Sequence, residues 1–264
     1  MELLNRVRVG IMNENDIALL KTRLVSDNSN FSLIFHIFPT CKQVEHHNAN
    51  VQKTLTTEEF VVKAEHFFSQ NDLTPNLQVD DDDLILDDDR DAGGLLSTLT
   101  LSVGIRVMLV RNLCVKFGLV NGARGYIHAI HTIPFTDAIV KSVDVKFNDS
   151  GKLPKSVCNF NGSVSIEMYS QEFYNDGRYI MRKTFPLVPC WAATVHKVQG
   201  LTLNEAVLCL DDTLFQNGQA YVALSRVNSL QGVLLTGLCI SKIKPDQLVL
   251  KEYLNMLEKF NMLK

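Results

Sequence analysis

Two apolar runs, each leading through a polar turn into a helical pattern, constrain the fold of this chain most strongly. Residues 31–40, FSLIFHIFPT, have the apolar character of a buried strand, and the following CKQVEHHNANVQKTL has the spacing of a helix. The same order returns after residue 186, where EAVLCLDD is a core strand and GQAYVALSRV is a helix with Asn217 as its cap. Alternating strands and helices favour a parallel sheet flanked by helices, so the sequence predicts an α/β domain.

A different pattern occupies the middle of the chain. LSVGIRVMLVRNL has the alternating pattern that predicts a strand. GLVNGARGYIHAIH predicts a glycine-rich turn followed by another strand. Hairpin-like strands with Asn-Asp-Ser-Gly turn chemistry follow. Residues 119–185 therefore predict a small β module inserted into the α/β domain.

The two ends of the chain read as helices. Asn13 or Asn15 is placed to cap a helix over Asp16–Leu24. The C-terminal QLVLKEYLNMLEKF is amphipathic, and we expect it to pack against the domain rather than to bind a partner.

Charge is concentrated in one acidic segment. Residues 80–91 hold eight Asp and one Arg, a charge of −7, so the net charge of −3 leaves +4 for the rest of the chain. Like charges at that density repel and stay solvated, so we expect a linker that contributes little to stability. The mildly basic remainder is a weak indication of a polyanionic ligand.

The phosphate-binding loop of many nucleotide enzymes, G-x-x-x-x-G-K-[ST], has no counterpart here. The Gly151-Lys152 pair has Lys146 where the first glycine should stand and Leu153 where the hydroxyl should stand. This segment is predicted to be a turn.

Metal and membrane sites are not predicted either. The strand-then-aspartate segments 84–89 and 206–212 follow no phosphate loop, and His128 and His131 should point to opposite faces of a strand. The six cysteines form no C-x-x-C pair and no signal-like leader is present, which indicates a reducing compartment. No apolar stretch reaches the roughly 18–20 residues of a membrane span.

Four ordered segments resemble the successive C-terminal motifs of one helicase family. They are FPTCKQVEHHN, GIRVMLVRNL with GLVNGARG, PLVPCWAATVHKVQGLTL and FQNGQAYVALSRV. The family is the petite-integration-frequency (Pif) group of DNA helicases, which includes the helicase part of Helitron transposases, and the resemblance covers nearly the whole chain from Leu3. It implies the α/β fold of a superfamily 1 helicase with two RecA-like domains. Residues 29–118 and 186–264 would form the second domain, 119–185 an inserted SH3-like β-barrel module, and 1–28 the tail of the first domain.

The resemblance implies an ATP-driven motor that runs 5′ to 3′ on single-stranded DNA and unwinds duplexes. Single-stranded and forked DNA would be its partners, ATP and Mg²⁺ the cofactors of the complete enzyme, and the nucleus or mitochondrion its location. The resemblance also implies roles in DNA repair, recombination and telomere maintenance. The family's phosphate loop and magnesium-holding Asp-Glu belong to the first RecA-like domain. The chain is therefore expected to be a fragment that misses this domain, holds neither cofactor and is inactive alone.

A second hypothesis belongs to a different class of protein. The chain would then be a catalytically inactive, transposon-derived module that binds DNA or a partner, having kept the fold and lost the motor.

The resemblance also assigns roles to individual residues. Arg226 resembles the arginine finger that neutralises charge on the transferring γ-phosphate, and Gln219, seven residues earlier, should share its helical face. Gln199, Gly200 and Gln219 are expected on the nucleotide side. The expected DNA contacts are Thr40, Lys42, Asn112, Asn121, Arg124, Thr194, His196 and Lys197.

Structural roles compete with some of these assignments. Arg226 and Lys42 can be ordinary solvated charges, and Trp191 is favoured as a core residue. Base stacking is an open possibility for Phe117, Tyr126 and Phe147.

Overall fold

The computed structural model describes residues 2–25, 34–71, 73, 76–79, 88–89, 91–134, 139–148, 154 and 156–262. The helices are α1 (Glu2–Val9), α2 (Glu14–Lys21), α3 (Cys41–Gln52), α4 (Gln219–Leu224) and α5 (Gln247–Met262). The strands are β1 (His36–Phe38), β2 (Phe60–Lys63), β3 (Glu65–Phe68), β4 (Thr98–Leu101), β5 (Arg106–Leu109), β6 (Arg124–Thr132), β7 (Val140–Phe147), β8 (Val164–Ile166), β9 (Tyr169–Asn175), β10 (Arg178–Thr184), β11 (Leu187–Pro189), β12 (Ala192–Thr194), β13 (Ala206–Leu210) and β14 (Val233–Leu238). The chain divides into two compact units, which we call the α/β unit (residues 1–53 and 191–264) and the β unit (residues 54–190).

A four-stranded parallel sheet forms the centre of the α/β unit. Its strand order is β12-β1-β13-β14, and each neighbouring pair runs parallel. All five residues of β13 are buried, as expected for a strand covered on both faces. The predicted parallel α/β architecture is therefore confirmed.

Side-chain caps begin two helices of this unit, α3 at Thr40 and α2 at Asn13, which is one of the two caps predicted for that helix. Thr40 follows β1 and caps α3, where its side chain and that of Gln43 satisfy each other's backbone N–H groups. Asn13 and Asp16 form the same reciprocal arrangement at α2. Asp16 is buried and also binds the guanidinium of Arg6 at 2.7 Å.

Helix α4 differs from its prediction. It spans only six residues, and its cap is Gly218 in the left-handed region at φ 80° rather than Asn217. The helix ends at Leu224, so Arg226 lies beyond it. The expectation that Gln219 and Arg226 share a helical face is wrong, because the second helical turn stops before Arg226.

Residues 2–25 pack within the α/β unit. Arg8 on α1 contacts Tyr221 on α4, and the Arg23 side chain donates to the carbonyl of Val233 at 2.7 Å. Leu24 forms a parallel bridge with Leu235 of β14. The origin of this segment as the tail of a first RecA-like domain stays a prediction.

Helix α5 is less buried than its amphipathic pattern predicts. Four of its apolar side chains are exposed: Leu248, Val249, Leu254 and Met256. In the part of the chain that the structure describes, no helix is long and apolar enough to cross a membrane.

The β unit begins earlier than the predicted module at 119–185. Its sheets are β11-β5-β6-β7-β8, β3-β10-β9 and β2-β4, so strands from residue 60 onward pair within it. The antiparallel partners β3 and β10 are more than a hundred residues apart in sequence. Local turn patterns do not reveal such long-range pairing, which explains the misplaced boundary.

The end of the acidic segment is built into the β unit. The fully buried Arg182 donates to Asp89 at 2.5 Å, to the carbonyl of Leu95 at 2.9 Å and to His66 Nε2 at 2.9 Å. Asp89 also accepts the backbone N–H of Ser97 at 2.9 Å. Residues 80–87 and 90 lie outside the described residues, but for Asp89 the expectation of a dispensable linker is wrong.

Candidate functional site

Three loops leave the same edge of the parallel sheet in the α/β unit. They follow the carboxyl ends of β12, β1 and β13, which are neighbours in the sheet. In open parallel sheets this edge is where ligands bind. Most of the site residues predicted in this unit lie here.

The loop after β12 has buried anchors and an exposed polar edge. Val195 and Val198 are fully buried, while His196, Lys197 and Gln199 are exposed. Apolar residues thus fix the loop and leave three polar side chains accessible to a ligand.

The two ends of that loop have structural roles. Thr194 is buried, and its hydroxyl lies within 3.4 Å of the Lys197 backbone N–H, so it caps the turn. Gly200 has φ 83°, a conformation that side chains other than glycine rarely adopt.

Gln219 ties two loops of this edge together. It is 4% exposed, and its amide group donates to the Pro39 carbonyl after β1 at 3.3 Å. Its side-chain oxygen accepts the backbone N–H of Phe215, in the loop after β13, at 3.3 Å. The amide of Gln219 is therefore used within the protein, although the sequence places the residue on the nucleotide side.

A polar and aromatic pair connects the loops after β12 and β13. His196 Nε2 lies 2.9 Å from the Gln216 side-chain oxygen, and the His196 ring centroid lies 6.1 Å from that of Phe215. Both rings are exposed.

A pocket of about 420 Å³ opens beside this pair. It is lined by Arg8, Val195, His196, Gln199, Gln216, Asn217, Gly218, Gln219, Tyr221, Val222, Asp246, Val249, Leu250 and Tyr253. Three predicted site residues, His196, Gln199 and Gln219, are thereby brought around one cavity.

Arg8 supplies a cationic group to the pocket. Its Nε and Nη2 lie 2.9 and 2.5 Å from the Tyr221 hydroxyl. Its guanidinium carbon also lies 5.6 Å from the centre of the Tyr253 ring, within cation–π range. The two tyrosines hold Arg8 in one orientation.

Arg226 lies against the end of the loop after β12. Its Nη1 donates to the Leu201 carbonyl at 3.4 Å, its Nε to the Val222 carbonyl at 3.2 Å, and its Nη2 to the Ser225 hydroxyl at 3.0 Å. These bonds hold the side chain in place one residue after Gly200. The structure thus brings Arg226 to the loop, whereas Gln219 binds elsewhere.

The loops after β1 and β13 also meet through side chains. Gln43 donates to the Thr213 hydroxyl at 3.1 Å, while the Thr40 hydroxyl serves the cap of α3. Lys42, between them, is exposed. Of the two predicted contacts in this segment, only Lys42 presents its polar group to solvent.

The remaining predicted DNA contacts belong to the β unit. Asn112 accepts the backbone N–H of Asn121 at 2.8 Å, which closes the turn before β6. Gly122 has φ 93° in that turn, as the NGARG pattern predicts, and the half-buried Arg124 begins β6. Asn112 and Asn121 therefore shape this turn.

The aromatic candidates of the β unit separate by burial. Phe147 is buried and unsuited to stacking with a base, whereas Tyr126 is exposed and Phe117 is half-buried. In the α/β unit, Trp191 is buried, which confirms its predicted core role.

Metal ligation and thiol chemistry find no support in the described part of the chain. No group of three His, Cys, Asp or Glu residues there is arranged to hold a metal ion. His131 faces Asp144 at 3.1 Å across two strands. Burial raises the pKa of Cys209, at the end of β13, to about 12, so its thiol stays protonated.

Sequence reasoning missed several residues of this edge. Arg8 lies in a helix that was assigned to another domain. Phe215 and Gln216 begin the motif FQNGQAYVALSRV, but neither was given a role. For Phe215 and Gln216 the available signal was their position in the loop after the β13 strand, because loops that follow parallel strands meet at one edge. Arg8 had no such signal.

Known proteins are similar to this chain in sequence and in fold. The family model described as "DNA helicase Pif1, 2B domain" matches residues 96–130, within the β unit. The ATP-dependent DNA helicase PIF1 of Rattus norvegicus is 35% identical over 158 residues, which cover 59% of this chain and 22% of the rat protein. The chain is therefore similar in sequence to Pif1 helicases. It matches about a fifth of the length of its rat relative.

Solved Pif1 structures share the fold over 98% of this chain. Pif1 helicase from Candida albicans has a TM-score of 0.70 at 21% identity, and Bacteroides Pif1 bound to single-stranded DNA has 0.68 at 22%. A structure of DNA unwinding at forked duplex DNA by two coordinating Pif1 helicases gives 0.67 at 23%. The chain spans 57%, 54% and 51% of these proteins, so it shares their fold over about half of their length.

Proposed function

We propose that this chain acts as the C-terminal part of an ATP-dependent DNA helicase that translocates 5′ to 3′ on single-stranded DNA. The α/β unit would be its second RecA-like domain, and the β unit would contain the SH3-like insert. The observation that carries the proposal is the loop of residues 194–200 with Arg226 held against its end. A motor must couple the state of a phosphate group to its grip on DNA, and one loop that borders both ligands provides that coupling.

The chemistry of Arg226 fits a phosphate oxygen. Three of its five N–H donors bind the protein, which leaves two for a ligand. A guanidinium offers paired donors that match two phosphate oxygens at once. ATP, when bound, supplies the phosphoryl transfer that drives such a motor.

Magnesium does not fit the residues that the structure describes, because they contain no cluster of ligands. We propose that a first RecA-like domain supplies both the phosphate-binding loop and the metal ligands. That domain would be the required partner of this chain, together with single-stranded or forked DNA. Its work on DNA would place it in the nucleus or mitochondrion.

A second candidate function is a DNA-binding or interaction module without catalysis. It accounts equally for the absence of a metal-ligand cluster among the described residues. Restored hydrolysis after fusion to a complete first domain would exclude this alternative.

DNA binding by the isolated chain tests the proposal directly. In fluorescence anisotropy titrations, the chain should bind single-stranded oligonucleotides weakly and without sequence preference, and affinity should fall steeply with salt. Lys197→Ala should reduce the slope of log K against log salt by about 0.7. Lys251→Ala, on the exposed face of α5, is the matched control and should leave the slope unchanged. Equal binding at low and high salt would contradict the proposal.

A further inference from the structure

Phe215 is an exposed aromatic ring in a well-anchored loop. Its side chain is 60% exposed, although the preceding Leu214 is buried and already anchors the loop after β13. Burial in the core therefore does not explain the phenylalanine at this position.

The ring of Phe215 is held in a defined place. Its backbone N–H donates to the buried Gln219 side chain at 3.3 Å, and the same amide group reaches Pro39. The neighbouring Gln216 lies 2.9 Å from His196 Nε2, which fixes the second ring 6.1 Å from the first. The two exposed rings thus lie beside each other, and hydrogen bonds within the protein, from Gln216 and Gln219, hold them there.

Charges around the two rings favour a base over a phosphate. Asp211 and Asp212 precede Phe215 in its loop, and their carboxylates repel a phosphate group there. Lys197, next to His196 in the sequence, is exposed and supplies a cation. A nucleotide can place its backbone near Lys197 and its base against the rings.

We propose that Phe215 and His196 form a stacking platform for one base of single-stranded DNA. Gln219 and Gln216 are positioning residues that hold the two rings. Stacking on an aromatic side chain tolerates every base, as a translocating protein requires. This inference rests on the proposed DNA-binding function and adds the group that contacts the base.

The test compares Phe215→Ala with the wild-type chain in binding to an oligo(dT) strand. Loss of one stacked base should weaken binding about 5- to 100-fold. The slope of log K against log salt should stay the same, because no charge is removed. Phe215→Trp should keep wild-type affinity, and Tyr174→Ala is the matched control, since Tyr174 is equally exposed, at 61%, in the β unit.

A fluorescent base gives a second readout. The fluorescence of a strand that contains 2-aminopurine should decrease when it binds the wild-type chain. At saturating protein, the decrease should be smaller with Phe215→Ala. Unfolding by urea should be the same for both proteins, because the ring is exposed.

Three outcomes overturn the inference. If the wild-type chain binds no single-stranded DNA, both the platform and the proposed function fail. If it binds and Phe215→Ala binds equally well, only the platform fails. An equal loss in Phe215→Ala and Tyr174→Ala would show general adhesion of exposed aromatic rings and would also reject the platform.

Discussion

At the scale of single residues, the buried Arg182 makes the end of the acidic segment a structural element. Asp89 is its carboxylate partner, and removal of one member of a buried ion pair leaves an uncompensated charge. Asp89→Ala should therefore lower the free energy of unfolding by about 3 kcal/mol in urea titrations. Asp91→Ala is the control, because Asp91 is exposed and its loss should change stability by less than about 0.5 kcal/mol. Equal effects of the two variants would show that the ion pair contributes nothing specific.

His66, which accepts a hydrogen bond from Arg182, predicts a pH dependence. Burial and the nearby Arg182 lower the pKa of His66 to about 4. The unfolded chain therefore binds more protons than the folded one between pH 6.5 and pH 4, so stability should fall as the pH drops through this window. His66→Gln keeps an acceptor for Arg182 and cannot titrate. The free energy of unfolding of this variant should depend less on pH. Its slope should be smaller than the wild-type slope by up to about 1.4 kcal/mol per pH unit. Parallel profiles for the two proteins would contradict this assignment.

At the scale of elements, Gln219 shows how a short helix stabilises two loops. Gln219→Ala should lower the free energy of unfolding by about 2 kcal/mol, because it leaves the Phe215 N–H and the Pro39 carbonyl without their partner. Amide hydrogen exchange should show lost protection at Phe215. Gln216→Ala, on the exposed side of the same loop, should change stability by less than about 0.5 kcal/mol. Unchanged protection at Phe215 in Gln219→Ala would show that the bond to its backbone contributes little.

The sequence predicted elements best where their determinants are local. The helix that begins at Cys41 and the cap of α2 at Asn13 were predicted, and both depend on side-chain chemistry within three residues. Helix α4 was predicted too long. It ends at Leu224, and the residues after it pair with the distant segment at Leu203. Contacts between distant segments are invisible to local pattern.

At the scale of the whole molecule, the parallel sheet was predictable and the extent of the β unit was not. Alternating βα patterns identify a parallel sheet, since each strand must return through a helix. The β unit instead depends on antiparallel partners far apart in sequence, such as β3 with β10. The site shows the same division. Sequence motifs selected the loop at 194–200, but the neighbouring Phe215 and Arg8 became visible only when the fold brought the loops together.

In the proposed function, catalysis also belongs to the scale of the whole molecule, because Arg226 would act on a phosphate held by another domain. The chain alone should show no ATP hydrolysis at any nucleotide or DNA concentration. A fusion to the complete first RecA-like domain of a relative should restore hydrolysis stimulated by DNA. Within that fusion, Arg226→Ala should lower kcat about 10³- to 10⁵-fold and leave binding of single-stranded DNA largely intact. Arg226→Lys should restore little, since a point charge lacks the planar pair of donors that meets two phosphate oxygens. Hydrolysis by the chain alone would refute the need for a partner domain, and full activity of the Arg226→Ala fusion would remove Arg226 from the site.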